Sequence, residues 1–135
     1  MDLQIEHETL KKGYVLVSLA GDLDAYNSRL FRQMIENLFT RKKHKLIVDL
    51  ESVTCIDSVG VGELLGSLRR IREKEGELSL VYDKSCVKKF LGITGLDANF
   101  TVFRTRREAI EELIIHKRKM NVWPNKNISS VGATI

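Results

Sequence analysis

The residues best suited to chemistry lie at positions 56–66, which read IDSVGVGELLG. Asp57 and Ser58 stand where a predicted strand turns into a predicted helix, and either side chain can cap that helix by accepting a first-turn N–H. Gly60 and Gly62 follow, although each disfavours a helix interior by about 0.5–1 kcal/mol relative to alanine. Two explanations of these glycines stay open: packing of the helix on a sheet, or close approach of a partner to the helix start.

Ser58 is a candidate for phosphorylation as well as for capping. A helix N-terminus favours negative charge, and a phosphate would add about −1.5 to −2 charges there. The ordinary role of a serine at a helix start is that of an N-cap, with Asp57 as a second capping candidate. From the spacing alone the plain cap is favoured, and a modified surface is the alternative.

Three catalytic motifs fail on the same segment. A dinucleotide-binding turn requires G-x-G-x-x-G/A, but Leu65 occupies the third glycine position and Gly66 comes one residue late. A P-loop requires G-K-[ST], which is missing, and a hydrolase elbow requires G-x-S-x-G, where Ile56 replaces the first glycine. The histidines have neither metal-ligand spacing nor a relation to Ser58: His7, His44 and His116. We therefore predict no catalytic residues, no metal and no cofactor, with a nucleotide-binding enzyme as a distant alternative.

The composition is that of one soluble globular domain. The chain has 135 residues and a mass of 15.4 kDa, with 43% hydrophobic and 30% charged residues, so it can bury a core without disulfides or metal. No apolar run approaches the roughly 20 residues of a membrane span, and we expect no signal peptide at the acidic N-terminus. Cys55 and Cys86 form no disulfide framework, so a reducing cytoplasm is the expected location.

The net charge of +4 belongs to the end of the chain. Residues 1–115 hold 18 Lys and Arg against 18 Asp and Glu, so this part is neutral. The excess is carried by Lys117, Arg118, Lys119 and Lys126. Because a nucleic-acid-binding domain carries a basic patch on its folded surface, we predict no direct nucleic-acid binding. We divide the chain into a domain at 1–115 and a basic tail at 116–135, flexible or docked locally through Trp123.

Alternating periodicities predict the elements that must position these residues. Apolar runs predict strands at 3–7, 14–19, 45–50, 78–82 and 100–103, with Gly21 ending the second and a further run at 53–56 following the third. Three- and four-residue apolar spacings predict helices at about 25–41, 58–75, 85–91 and 105–115, with further N-caps at Asp24, Ser85 and Thr105. The order β-β-α-β-α-β-α-β-α predicts an α/β fold with a mixed, mostly parallel sheet of four to five strands and about four helices.

Two motifs together resemble the signature of STAS domains, specifically those of the bacterial anti-sigma factor antagonists. The first motif is VDL at 48–50 followed by IDSVGVG at 56–62. The second is GDLD at 21–24, ahead of the first long helix, which is similar to the G-x-[IL]-D element of the same family. The element order and length match over about residues 3–115, and the tail beyond His116 is outside the resemblance.

The resemblance implies partner switching. In the family, the unphosphorylated protein binds an anti-sigma factor that is also a serine kinase, and this binding releases a sigma factor. The kinase phosphorylates a serine or threonine after the motif aspartate, which breaks the interaction, and a serine phosphatase restores the active form. On this sequence the acceptor is Ser58 and the preceding carboxylate is Asp57. Family members often carry a second hydroxyl beside the acceptor, where this chain has Val59.

The resemblance also implies a partner-binding surface around the acceptor. Its predicted members are Asp22, Asp24, Asp57, Ser58, Val59, Gly60 and Gly62. The alternative role of the first two aspartates is in turns and helix capping. The expected function is a cytoplasmic interaction switch without catalytic activity, and the alternative is a STAS scaffold or signalling module with a different partner.

Overall fold

The sheet has five strands that lie side by side in the order in which they occur in the chain. The computed structural model describes residues 2–83 and 86–116. Its strands are β1 (Gln4–Thr9), β2 (Tyr14–Leu23), β3 (Lys45–Ile56), β4 (Glu77–Val81) and β5 (Thr101–Phe103). β1 is antiparallel to β2, and β2 through β5 are parallel. The predicted mixed, mostly parallel sheet is confirmed.

Helices connect the parallel strands, as the sequence predicts. They are α1 (Ser28–Thr40), α2 (Ser58–Glu73), α3 (Cys86–Thr94) and α4 (Arg106–Ile110). α4 continues as a π-helical turn over Glu111–Ile115. Short 3-10 turns occupy Lys11–Gly13 and Leu96–Asn99. The predicted order of strands and helices is therefore confirmed, with α3 three residues longer at its C-terminal end than the predicted 85–91.

One of the two predicted N-caps of the last helices can be compared with the structure. The Thr105 hydroxyl accepts the Glu108 amide at 3.0 Å and so caps α4, as predicted. The other predicted cap, Ser85, lies outside the described residues. So do residues 117–135, and the domain boundary at 115 and the basic tail stay predictions.

Alternation along the central strand distributes the core over both faces of the sheet. In β3, Leu46, Val48 and Leu50 pack with residues of α1, α2 and α3, whereas Ile47 packs with residues of α4 and the turn after it. All four side chains are fully buried. The nearly continuous apolar run of this strand is therefore explained by helices on both faces, because a strand covered on both sides has no polar face.

Two strands extend further than their sequence suggests. Gly21 does not end β2, which continues to Leu23. Gly21 has a φ of 103°, and a Cβ there would lie 2.2 Å from the carbonyl oxygen of Asp2, so glycine lets the N-terminal backbone pass close by. β3 likewise runs through the polar step at 51–52 to Ile56. Both strands therefore end together, with Leu23 opposite Ile56 in the register.

An ion pair between a half-exposed arginine and a buried carboxylate fixes α4 to the sheet. Asp49 of β3 is 7% exposed, and its Oδ2 accepts a hydrogen bond from Nε of Arg106 at 2.8 Å. The same guanidinium donates to the Ser18 hydroxyl of β2 at 3.1 Å, and Asp49 Oδ1 accepts the Glu51 amide at 2.9 Å. A buried carboxylate is unfavourable unless it is paired and hydrogen-bonded. Arg106 is therefore the cation that offsets the cost of burying the Asp49 carboxylate.

Replacing Arg106 should destabilise the fold. Arg106→Met keeps an aliphatic side chain but leaves the Asp49 carboxylate without its cation, so we expect the free energy of unfolding to fall by about 1–3 kcal/mol. Arg107→Met is the matched control, since Arg107 pairs with Glu111 on the exposed side of the same helical segment, where ion pairs contribute about 0–1 kcal/mol. Urea unfolding followed by circular dichroism measures both variants. Equal losses would contradict the role given to the ion pair of Arg106 and Asp49.

Candidate functional site

The carboxylate of Asp57 joins two elements at the end of the sheet. Asp57 is the N-cap of α2, with its Oδ1 accepting the Gly60 amide at 2.9 Å. Its Oδ2 accepts the amide of Ala25, in the loop before α1, at 3.1 Å. Of the two capping candidates, Asp57 is therefore the cap, and the interpretation of Ser58 as a plain N-cap is wrong.

Ser58 is the first residue of α2 and is exposed. Among the described residues, no hydrogen bond engages its hydroxyl. The next side chain, Val59, is 45% exposed. Because Asp57 satisfies the first turn of the helix, the Ser58 hydroxyl is presented to solvent at a helix N-terminus, where an anion is favoured.

The two glycines after Ser58 have different surroundings. Gly60 is buried, and a Cβ there would lie 2.1 Å from the carbonyl oxygen of Leu23. Its role is therefore close packing of α2 against the end of β2. Gly62 is exposed, and a Cβ there would meet nothing within 4 Å. The packing explanation holds for Gly60 and is wrong for Gly62, which leaves a bare helix surface beside Ser58.

Asp24 shapes the loop before α1 and does not cap that helix. Its Oδ1 accepts the amides of Tyr26 at 3.1 Å and of Asn27 at 3.0 Å, which closes a turn. α1 then begins at Ser28, after Asn27, whose side chain makes no cap hydrogen bond. The predicted helix start near residue 25 and the predicted Asp24 cap are therefore wrong. The Asp24 carboxylate accepts amides of an Asx turn before the helix begins.

Asp22 ties the same loop to the neighbouring strand. Its Oδ1 accepts the Thr54 hydroxyl at 2.8 Å, and its carbonyl oxygen accepts the side-chain amide of Asn27 at 3.3 Å. The structure thus brings all seven predicted partner-binding residues to one end of the sheet, where β2 and β3 finish. Asp22, Asp24 and Asp57 also give this end a concentration of carboxylates.

Two exposed apolar side chains at this end of the molecule are not predicted as site residues from the sequence. Tyr26 is 93% exposed, and Leu30, one turn along the chain, is 44% exposed. Tyr26 follows Ala25, whose amide is held by Asp57, so its backbone is fixed although its side chain is in solvent. The signal available in the sequence was an aromatic residue beside Asn27, a turn-forming residue, ahead of the first apolar helix. Large exposed aromatics on a fixed backbone are common anchors of protein interfaces.

An ion pair between the first two helices lies alongside the site. Arg32 of α1 contacts Glu63 of α2 at 2.9 Å, and the Glu63 side chain is mostly buried. The hydrogen bond to Glu63, together with the charge of that carboxylate, raises the pKa of Arg32. This pair helps to hold α1 beside the start of α2, which carries Ser58.

The sequence matches a known family over most of its length. The STAS domain profile matches residues 5–109. An anti-sigma F factor antagonist from Paenibacillus polymyxa is 32% identical over 114 residues, which cover 84% of this chain and 97% of that relative. An anti-sigma-B factor antagonist from Listeria monocytogenes is 27% identical over 96 residues, which cover 71% of this chain and 84% of the relative. The chain therefore belongs to the STAS domain family.

Solved structures agree with this assignment at the level of the fold. An anti-sigma factor antagonist from Mycobacterium paratuberculosis has a TM-score of 0.73 and 23% identity, covering 81% of this chain and 92% of that one. The anti-sigma factor antagonist SpoIIAA in its unphosphorylated form has a TM-score of 0.65 and 23% identity, covering 82% and 97%. The resemblance to STAS domains of the anti-sigma factor antagonists is confirmed. In the described part of the chain, no helix combines the length and apolarity that crossing a membrane requires.

Alanine at the two glycines should have opposite effects on stability. Gly60→Ala would force a Cβ into the Leu23 carbonyl oxygen, and we expect a loss of about 1–3 kcal/mol in the free energy of unfolding. Gly62→Ala meets open space and should gain about 0.5–1 kcal/mol from the helix preference of alanine. Thermal melting with matched denaturant titrations measures both. A stable Gly60→Ala protein would contradict the close approach of β2 and α2.

Proposed function

We propose that the protein is an anti-sigma factor antagonist whose binding is controlled at Ser58. In this proposal the unphosphorylated form binds an anti-sigma factor that is also a serine kinase, and a sigma factor is released. Phosphorylation of Ser58 ends the binding, and a serine phosphatase restores it. The observation that carries the proposal is the Ser58 hydroxyl, exposed and not hydrogen-bonded to described residues because Asp57 caps the helix in its place.

The local charge explains why a phosphate would act on the partner. Asp22, Asp24 and Asp57 already place carboxylates at this end of the sheet. A phosphate on Ser58 would add about −1.5 to −2 charges, which a partner adapted to the unmodified surface must accommodate. The N-terminus of α2 favours an anion, so the modified chain keeps its fold. The switch therefore acts on the interface and leaves the domain folded.

The surrounding residues divide into positioning residues and contact residues. Asp57 and Asp24 fix the backbone through the hydrogen bonds they accept from Ala25, Gly60 and the turn before α1. Val59 and Gly62 are exposed beside Ser58, and we assign them to the contact surface. Gly62 leaves room for a partner's backbone, because no Cβ covers the helix there.

Charge at Ser58 should weaken partner binding without unfolding the domain. With the partner kinase and ATP, we expect phosphate on Ser58, and with ATP alone we expect none. Ser58→Asp should lower the affinity for the kinase, whereas Ser58→Ala should bind but lose the switch. Because Asp57 is the cap, we expect Ser58→Ala to change the free energy of unfolding by no more than about 0.5 kcal/mol. Mass spectrometry and calorimetry measure these outcomes.

Ser52→Asp is the matched control for the charge, since Ser52 is an exposed serine on β3 outside the predicted surface. Tight binding by Ser58→Asp, or phosphate on another residue, would overturn the assignment of Ser58. Binding to no anti-sigma factor at all would favour the STAS module with a different partner. ATP hydrolysis by the purified chain would favour the nucleotide-binding enzyme.

Tyr26 should be an anchor of the same interface. Removing a central aromatic from an interface commonly loses about 2 kcal/mol or more, so Tyr26→Ala should weaken kinase binding by at least about tenfold. The stability of the domain should not change, because the ring is 93% exposed. Ile115→Ala is the matched control, since Ile115 is 63% exposed and follows α4 on the other face of the sheet. Calorimetric titration of both variants decides the assignment, and equal affinities would refute it.

A further inference from the structure

The fold brings the Cys86 thiol to the strand that carries Cys55, although the two cysteines are far apart in sequence. Cys55 lies near the end of β3, and Cys86 is the first residue of α3. Both are free and exposed thiols. Sγ of Cys86 lies 3.7 Å from the carbonyl oxygen of Val53, to which it donates. Val53 is two residues before Cys55 on the same strand, so the Cys86 thiol lies against the strand segment that carries the second thiol.

An irregularity in β3 falls on the same segment. Gly21 of β2 pairs with Val53, and the next residue, Asp22, pairs with Cys55, so that Thr54 is an extra residue in β3. Such a bulge bends a strand and re-aims its side chains. Partial burial of the sulfur, and after it the charge of an ionised Cys55, raises the pKa of the Cys86 thiol. The strand segment that Cys86 contacts is therefore also the segment that the bulge bends.

We propose that Cys55 and Cys86 form a reversible intramolecular disulfide when the protein meets a small-molecule disulfide. This thiol pair is a modification site separate from Ser58 and does not depend on the identity of the partner. Disulfides require Cα atoms about 4.4–6.8 Å apart, and in this proposal the joint between α3 and β3 brings the two Cα atoms within that range.

The chemistry takes two exchange steps and balances without a further reactant. The Cys55 thiolate attacks one sulfur of the small-molecule disulfide, forming a mixed disulfide and releasing one small thiolate. The Cys86 thiol then loses its proton and attacks the Cys55 sulfur, forming the protein disulfide and releasing the second small thiolate. The two protein thiols are oxidised, and the small disulfide is reduced to two thiols. We assign the second step to Cys86, because its thiol donates to the Val53 carbonyl oxygen in the starting fold.

A glutathione redox buffer tests the proposal on the full chain. After equilibration and acid quenching, intact-mass analysis should show a monomer that has lost two hydrogen atoms, and peptide mapping should join the peptides of Cys55 and Cys86. The effective concentration of one thiol for the other should be at least about tenfold higher in buffer than in urea, because the fold holds the thiols together. Dithiothreitol should restore both thiols.

Single variants separate the roles of the two thiols. Cys55→Ser and Cys86→Ser should each stop at a mixed disulfide with glutathione, with circular dichroism verifying the fold. The proposal is overturned if the wild-type chain also stops at a mixed disulfide, or if its disulfide links two chains. It is equally overturned if the effective concentration in buffer does not exceed that in urea, since that would mean that the fold does not bring the thiols together.

Discussion

The carboxylate of Asp57 is the constraint on which the functional end of the sheet depends. One oxygen accepts the Gly60 amide and the other accepts the Ala25 amide, so a single side chain holds the start of α2 and the loop before α1. An asparagine has only one acceptor oxygen, so in this geometry its NH2 group would face one of the two backbone amides. The approach of the Leu23 carbonyl to Gly60 closes the same joint from the strand side. The backbone at the start of α2, which carries Ser58, is therefore fixed both by the Asp57 hydrogen bonds and by packing against the end of β2.

This arrangement separates the capping of a helix from the presentation of a hydroxyl. A serine that capped α2 would have its oxygen engaged by a backbone N–H, and a phosphate on it would remove a hydrogen bond of the fold. Here the cap is Asp57, one residue earlier, and the Ser58 hydroxyl does not cap the helix. Modification at Ser58 can therefore change the surface charge while the helix start stays intact. The proposed regulation of binding at Ser58 would therefore leave the stability of the domain unchanged.

The order of the elements could be predicted because it depends on local periodicity. The apolar run of β3 and the spaced apolar positions of α1 and α2 are visible in the sequence, and Asp57 and Ser58 stand where one pattern changes into the other. Asp24 could not be assigned from sequence, because its carboxylate can accept the same nearby amides in an Asx turn or in an N-cap. The length of β2 depends on the close approach of the Asp2 backbone to Gly21. The exposure of Tyr26 depends on the position of the loop that carries it. Such contacts between distant residues have no local pattern.

The two glycines show most clearly what the sequence leaves undecided. Gly60 and Gly62 are the same residue type in the same turn, and either packing or partner access could explain both. In a helix of 3.6 residues per turn, positions two apart point about 200° away from each other. Gly60 therefore faces the sheet, where the Leu23 carbonyl excludes any side chain, and Gly62 faces solvent, where nothing does. Once the orientation of α2 is known, the first glycine belongs to the fold. Packing does not explain the second, for which the proposed partner-binding surface is the remaining explanation.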